Sequence, residues 1–394
     1  MVTYSVFSKP LLALSVSAFA IGISEFAVIG FLSQMAFDLG FELSTAGWLV
    51  ALYAVGVSVG APVLAHMTRK TASKPICVLL LIIFATANLA SAIISSFTSI
   101  LIARLIAGVM HGAYFSIAST VAPALVAPKN THLAIAVMFS GLTMAMVLGV
   151  PAGIGLSQVM SWKYVFGAVA LLSSIAAILV YRFVPNLEDA VTVVVEAPFH
   201  RYLKGGLLTL YSITIFGFGG GFVLFSYVEP YLHEILLFRP SQVATVMMLV
   251  GLGSLFGNIL GGKLPLRWGL IPSLSMVTVL QVSVLLAIWL LPDTAVPIYF
   301  CLFAWSVACF AVAPMVQTGV VSLASTCEGM NPRLCAGINI AAFNIGISLA
   351  TVMASGYVAA GDIAKLPLFG AAFTSLALPL CLWGCKRMSL KVIA

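Results

Sequence analysis

The stretch VPNLEDAVTVVVEAPFHR, residues 184–201, is the one long polar connection in a chain of apolar segments. Apolar runs precede and follow it, and each is about the 20 residues that a helix needs to cross a bilayer. Six such runs lie on each side of the stretch. The sequence therefore predicts an all-α polytopic membrane protein with twelve transmembrane helices in two halves of six.

The runs are divided by polar residues or by Pro and Gly, and we number them spans 1 to 12. Their predicted bounds are 10–32, 45–66, 75–95, 98–123, 132–157, 163–184, 204–229, 241–264, 269–291, 294–322, 333–358 and 364–385. Three parts follow from this division. They are an N-terminal six-helix half over 1–184, a cytoplasmic central loop over 185–203 and a C-terminal six-helix half over 204–394.

The composition excludes a soluble domain. Of 394 residues, 62% are apolar and only 7% are charged, with a mean hydropathy of +1.17, whereas soluble domains are about 25% charged. The net charge of +7 is spread thinly over many short loops, so we expect no nucleic-acid partner. We find no nucleophile–base set, no metal-ligand spacing and no phosphate-binding loop. We therefore predict no enzyme, no catalytic residue, no metal site and no ATP drive.

The distribution of Lys and Arg predicts the orientation. With the N-terminus inside, fourteen basic residues fall in cytoplasmic segments and three in segments on the opposite side. Cytoplasmic loops of membrane proteins carry the excess of positive charge. We therefore expect both termini and the central loop to be cytoplasmic.

The two halves also repeat. Four positions from span 2 to the start of span 3 are matched from span 8 to the start of span 9 at a constant spacing of 197 residues, three by the same residue and one by a basic residue. Two halves of parallel topology are a known architecture of secondary transporters. The first set is Gly56, Gly60, Lys70 and Pro75, and the second is Gly253, Gly257, Arg267 and Pro272.

Three motifs in the N-terminal half carry a family resemblance. GAPVLAHMTRK at 60–70 resembles the gate motif between spans 2 and 3 of the major facilitator superfamily. LIARLIAGVMHGA at 101–113 resembles its span-4 motif, and GLTMAMVLGVPAGIGL at 141–156 resembles the span-5 motif of its antiporters. The resemblance implies the major facilitator fold over the whole chain, with two pseudo-symmetric halves.

Shorter stretches resemble the arabinose- and sugar-efflux subfamily, a branch of the drug:proton antiporters. They are EF at 25–26, HGA at 111–113, FSYVEPY at 225–231, MLVGLG at 248–253 and FNIG at 343–346. Members of this branch export sugars, nucleosides or drugs against protons. The resemblance thus implies proton-coupled efflux from a bacterial inner membrane, with the proton gradient as energy source and no cofactor. An importer or facilitator on the same fold stays open as the alternative.

One position departs from the gate motif. The family's gate motif has an acidic residue at the position that His66 occupies here, although the basic residues Arg69 and Lys70 of the motif remain. In the second half, Lys263 and Arg267 occupy the equivalent loop. A neutral His can accept a hydrogen bond but offers no fixed negative charge. The contact by which the family's acid holds the cytoplasmic side closed is therefore in doubt, or its acidic residue comes from elsewhere, such as the central loop.

Two charges lie inside spans of the N-terminal half. Glu25 lies ~22 Å along span 1 from the inner side and Arg104 ~9 Å along span 4 from the outer side, so both lie at a similar depth of a ~30 Å core. Charges at such depth pair with each other or line a water-filled path. We interpret Glu25 as a proton-coupling group that faces the central cavity. A static ion pair with Arg104 that only orients helices is the alternative.

Span 4 places further candidates on the face of Arg104. Gly108, His111 and Gly112 follow at i+4, i+7 and i+8, positions that share one side of a helix. His111 either titrates or is a neutral hydrogen-bonded residue. In the second half, Glu229 is either a mouth residue for substrate or a capping acid, and Asn344 either binds substrate hydroxyls or satisfies backbone.

Small residues predict the places of close approach. Gly56 and Gly60 in span 2, repeated by Gly253 and Gly257 in span 8, lie four residues apart, a spacing that lets membrane helices approach closely. We expect them at a seam on which the halves rock, with ordinary helix packing as the alternative. Gly149, Pro151 and Gly153 predict a bend in span 5 that either shapes this seam or is a kink without a gating role. The expected partners are a small-molecule substrate and membrane lipid, and we expect a monomer.

Overall fold

A computed structural model of the chain describes residues 4–5, 7–68, 71–127, 130–186, 198–291, 295–327 and 329–388. The side chains at 65, 66, 131, 132, 295, 296, 333 and 384–388 are not described. Within these limits, twelve helices are long and apolar enough to cross a membrane, six before and six after the central loop. The predicted fold class is confirmed, and no described residue lies in a strand.

The helices begin and end close to the predicted bounds. The shortest spans have 21 residues, which at 1.5 Å per residue cover about 31 Å, the thickness of a hydrocarbon core. The helices of the first six spans are Lys9–Phe26 and Leu32–Leu39 (span 1), Leu43–Ala46 and Trp48–Met67 (span 2), Ser73–Ile93 (span 3), Phe97–Ala124 (span 4), Thr131–Met144 and Val150–Val159 (span 5) and Trp162–Phe183 (span 6). The short helix Phe199–Tyr202 precedes span 7. The helices of the last six spans are Gly205–Ile213, Gly219–Phe225 and Val228–Glu234 (span 7), Pro240–Trp268 (span 8), Leu270–Leu290 (span 9), Ala295–Ser325 (span 10), Pro332–Ala359 (span 11), and Leu366–Ser375 with Ala377–Met388 (span 12).

Spans 1 and 7 extend further than predicted because each contains a break. Span 1 passes through a 3-10 turn at Ala27–Phe31 and continues to Leu39, and span 7 restarts at Val228 and continues to Glu234. The break residues adopt similar non-helical conformations, with φ −140° and ψ 29° at Phe31 and φ −123° and ψ 25° at Tyr227. An apolar run read as one uninterrupted helix does not anticipate these extensions.

Two spans contain a widened π-helical turn. In span 5 this turn covers Ala145–Gly149 and ends two residues before Pro151, whose missing N–H removes one helical hydrogen bond. In span 7 it covers Thr214–Phe218, directly before the triple glycine at 219–221. Such turns occur frequently at functional sites. The turn in span 5 therefore lies where the sequence predicts an irregularity, next to Pro151, and the π-helical turn in span 7 was not predicted.

The chain forms two compact units. The first contains Met1–Phe41 and Trp48–Thr192, and the second contains Glu42–Gly47 and Val193–Ala394. Residues Glu42–Gly47 group with the second unit because the short helix Leu43–Ala46 packs against Pro332–Ala359. A division of the chain only at the central loop assigns these six residues to the first half instead.

Helix packing inside the two units follows one scheme. In the first unit, span 2 packs on span 4, span 3 on span 6 and span 1 on span 5. In the second, span 8 packs on span 10, span 9 on span 12 and span 7 on span 11. The repeat that the 197-residue spacing indicates is thus a repeat of helix contacts.

Candidate functional site

Arg104 is the centre of a polar cluster in the first unit. Its side chain is 1% exposed. Its Nε donates to the carbonyl oxygen of Leu49 at 3.1 Å, and its Nη1 donates to the carbonyl oxygen of Ser24 at 2.6 Å and to the Ser24 hydroxyl at 3.3 Å. An arginine does not lose its proton in proteins. The permanent charge is therefore held by backbone dipoles of spans 1 and 2.

Tyr53 and His111 extend this cluster along span 4. The Arg104 guanidinium carbon lies 4.0 Å from the centre of the Tyr53 ring, a cation–π contact that strengthens when water is excluded. The Tyr53 hydroxyl lies 3.0 Å from His111 Nδ1, and His111 is buried. His111 therefore has a hydrogen-bond partner in this structure, as the neutral alternative requires, and its ring also contacts Phe115.

Glu25 lies beside this cluster without being locked into it. It occupies the last turn of the helix Lys9–Phe26 and is half-buried. It lies within electrostatic range of Arg104, but the ion pair found among the described residues is a different one, between Lys365 and Asp362. Glu25 and Arg104 lie at a similar depth, since Arg104 contacts Ser24, the neighbour of Glu25. The Nε and Nη1 groups of the guanidinium donate to carbonyl oxygens, whereas its Nη2 has no partner among the described residues.

Three residues of the cluster, Ser24, Tyr53 and Asn88, are not among the site residues predicted from the sequence. Ser24 donates to Asn88 Oδ1 at 2.7 Å, and Asn88 in turn donates to the carbonyl oxygen of Phe84 at 2.8 Å. A signal for Asn88 was available, because it is the single carboxamide of span 3. Buried polar side chains must find partners, so its position facing another polar span could have been inferred.

The glycines of spans 2 and 4 face each other inside the first unit. A Cβ atom at any of them would meet main-chain atoms of the partner helix closer than real contacts allow. The close approach seen at these positions is helix packing within one unit, the alternative that the sequence left open. The pairs are Gly56 with the carbonyl oxygen of Leu105, Gly60 with that of Val109, Gly108 with that of Tyr53 and Gly112 with that of Val57.

The glycines of span 8 and of span 5 also pack within their own units. A Cβ at Gly253 would meet the carbonyl oxygen of Phe303 at 2.8 Å, and one at Gly257 that of Val307 at 2.5 Å, both in span 10. Gly149 faces Ile23 of span 1, and Gly153 faces Val165 and Ala27. Pro151 lies in the first turn of the helix Val150–Val159, after the π-helical turn. The small residues of span 5 thus admit spans 1 and 6.

The remaining predicted residues lie apart from the Arg104 cluster. Glu229 is half-buried in the first turn of the helix Val228–Glu234. Asn344 is buried in span 11, donates to the carbonyl oxygen of Ile340 at 3.0 Å, and has no partner for Oδ1 among the described residues. Lys263 and Arg267 are exposed at the end of span 8, with Arg267 stacked near Trp268. Arg69, Lys70 and the His66 side chain lie outside the described residues.

A neutral cluster in the second unit was not predicted. Gln281 Nε2 donates to the carbonyl oxygen of Gly217 at 3.1 Å, where the π-helical turn of span 7 lies. Gln281 Oε1 and Trp305 Nε1 are buried without a partner among the described residues. Both side chains border Gly221, since a Cβ there would lie 3.1 Å from Gln281 Nε2 and 3.1 Å from Trp305 Cζ2. The described residues contain no group of three or more His, Cys, Asp or Glu that could hold a metal ion.

Comparison with known proteins decides the family. The sequence profile of the Major Facilitator Superfamily matches residues 14–355. The chain belongs to this superfamily of transporters. The inner membrane transport protein YdhP of Escherichia coli K12 is 32% identical over 96% of both chains, and a probable sugar efflux transporter of Helicobacter pylori is 24% identical over 92% of both.

A solved structure agrees with this assignment at the level of the fold. The crystal structure of the nucleoside transporter NupG superposes with a TM-score of 0.77 at 13% identity, covering 95% of this chain and 99% of that one. The expected family and fold are therefore confirmed. The chain is a multi-pass membrane protein of the major facilitator superfamily.

Proposed function

We propose that this transporter is a proton-coupled exporter of a small molecule such as a sugar, a nucleoside or a drug, working by alternating access. The relative named as a sugar efflux transporter supports export and the substrate class. The name of the inner membrane relative supports a bacterial inner membrane, with both termini in the cytoplasm by the distribution of basic residues. The energy source is then the proton gradient, with no cofactor and no nucleic-acid partner, and the working form is a monomer.

The state of Glu25 carries the proposal. Its carboxylate is half-buried next to a permanent cation, yet no described residue forms an ion pair with it. The guanidinium of Arg104 keeps one amino group, Nη2, without a partner in the described chain. We infer that Glu25 alternates between two states: protonated and unpaired, or ionised and paired with Nη2. Exchange between them when water gains or loses access binds or releases one proton.

Transport in everted membrane vesicles tests direction and coupling together. Pentoses, nucleosides and cationic drugs are supplied one at a time while the luminal pH is recorded. An exporter in everted vesicles accumulates its substrate in the lumen as protons leave it. Accumulation only in right-side-out vesicles would instead identify an importer.

Glu25→Gln separates proton coupling from substrate binding. The amide cannot ionise, so pH-driven accumulation is lost, whereas exchange of substrate for substrate in reconstituted liposomes persists. Glu42→Gln, which changes an exposed acid in the same way, is the matched control and leaves pH-driven accumulation unchanged. Undiminished pH dependence in Glu25→Gln would refute the assignment of Glu25.

A further inference from the structure

A groove runs between spans 3 and 6 on the exposed side of the first unit, and we call it the 3/6 groove. Its volume is about 600 Å³. Small side chains form its floor, with Ala85, Ala170 and Ala177 all buried. Large apolar side chains form its rims, where Leu171 is 63% exposed and Ile178 is 66% exposed. The groove is therefore a narrow apolar channel that opens away from the unit.

The length of the 3/6 groove suits an acyl chain. On span 3 its lining extends from Val78 to Leu89, eleven residue steps or ~17 Å of helix. One leaflet of a ~30 Å hydrocarbon core is ~15 Å thick. At Gly167, which also lines the groove, a Cβ would meet nothing within 4 Å. The groove is thus open along the depth of one leaflet.

Positive charge gathers at one end of the 3/6 groove. Tyr181 lines this end, and Lys74 Nζ lies 5.2 Å from the centre of its ring. Arg182 is exposed in the last turn of the same helix, and Lys9 Nζ lies 5.5 Å from the ring of Phe183. None of these three cations forms an ion pair with a described residue. An apolar channel with basic residues at one end matches a lipid with a negative headgroup.

We propose that the 3/6 groove binds one anionic phospholipid. An acyl chain lies between the rims, and the headgroup phosphate lies between Lys74 and Arg182. A basic residue near an anionic lipid surface contributes about fivefold in affinity. A zwitterionic lipid fills the channel equally well but lacks the net charge that these two residues attract. The site does not depend on which substrate the protein transports.

Native mass spectrometry of the full-length protein in detergent tests the proposal. The protein is titrated with phosphatidylglycerol or with phosphatidylcholine of the same acyl chains. We expect wild type to bind phosphatidylglycerol at least fivefold more tightly. Lys74→Gln should lower that affinity about fivefold and leave phosphatidylcholine binding unchanged. Equal affinity of wild type for the two lipids would overturn the proposal.

Two further variants separate the groove from general surface charge. Lys163→Gln removes the same charge from the opposite end of span 6, where Lys163 donates to Ser95, and should leave phosphatidylglycerol affinity unchanged. Gly167→Leu fills open space in the groove and should weaken both lipids at least fivefold, while the thermal unfolding midpoint stays at the wild-type value. A loss in Lys163→Gln equal to that in Lys74→Gln, or no loss in Gly167→Leu, would show that the groove is not the site.

Discussion

The two units pack their helices alike but differ in what they bury. In both, glycines four residues apart on one span face the main chain of the span two further on. The break in the first span of each unit is also repeated, at Phe31 and at Tyr227. The corresponding contacts are Gly56 and Gly60 with Leu105 and Val109 in the first unit, and Gly253 and Gly257 with Phe303 and Val307 in the second.

The polar interiors diverge from this common scheme. A buried carboxamide of the third span contacts the first span in each unit, Asn88 with Ser24 and Gln281 with Gly217. Among the described residues, the buried basic side chains Arg104 and His111 lie in the first unit, whereas the buried Ser, Thr, Asn and Gln side chains of the second unit are neutral. The packing requirement is thus the same in both units, and the proposed proton chemistry belongs to one of them.

The largest expected effect comes from disrupting the glycine packing that both units share. Gly60→Leu and Gly257→Leu each place a side chain against a backbone that cannot move aside, and each should destabilise the protein by about 3 kcal/mol. The measurement is the thermal unfolding midpoint in detergent. Gly262→Leu, on the same helix as Gly257 but with nothing within 4 Å of its Cβ position, should unfold at the wild-type temperature. A large effect in only one of the two units would show that the packing is not equivalent.

A smaller effect should distinguish the charged interior from the neutral one. Arg104→Lys keeps the charge but cannot hold the carbonyls of Ser24 and Leu49 together, and one unmade charged hydrogen bond costs about 1.5–3 kcal/mol. We expect pH-driven transport to fall at least tenfold. Gln281→Met, which removes the buried amide of the second unit at similar volume, should change the pH dependence of transport little. A flattened pH profile in Gln281→Met would place part of the proton chemistry in the second unit.

The smallest effect concerns single hydrogen bonds around the charged cluster. Tyr53→Phe keeps the ring beside Arg104 and removes the contact with His111, and Ser24→Ala removes the short contact with Asn88 together with the longer one from Arg104 Nη1. Each should lower the free energy of unfolding by about 1 kcal/mol. Urea unfolding of the purified variants measures the change. If Tyr53→Leu, which also removes the aromatic ring, costs no more than Tyr53→Phe, the cation–π contact with Arg104 contributes nothing.

Much of the fold follows from the sequence because it depends on properties of single residues and their periodicity. The length of each apolar run predicts a membrane helix, and the stretch 184–201 predicts six helices on each side. The repeat of glycines at 197 residues predicts equivalent packing in the two halves. Arg104 and Glu25 stand out because a charge in an apolar run needs a reason to be there.

The partners of those residues were decided by tertiary structure alone. Arg104 is held mainly by main-chain carbonyls of Ser24 and Leu49, and since every residue has a carbonyl, no sequence pattern marks the two that it selects. The helix that each glycine faces depends in the same way on how six helices arrange themselves. The breaks at Phe31 and Tyr227 and the lipid-sized groove between spans 3 and 6 likewise arise only when neighbouring helices pack, because hydropathy records how apolar a residue is and not which surface it meets.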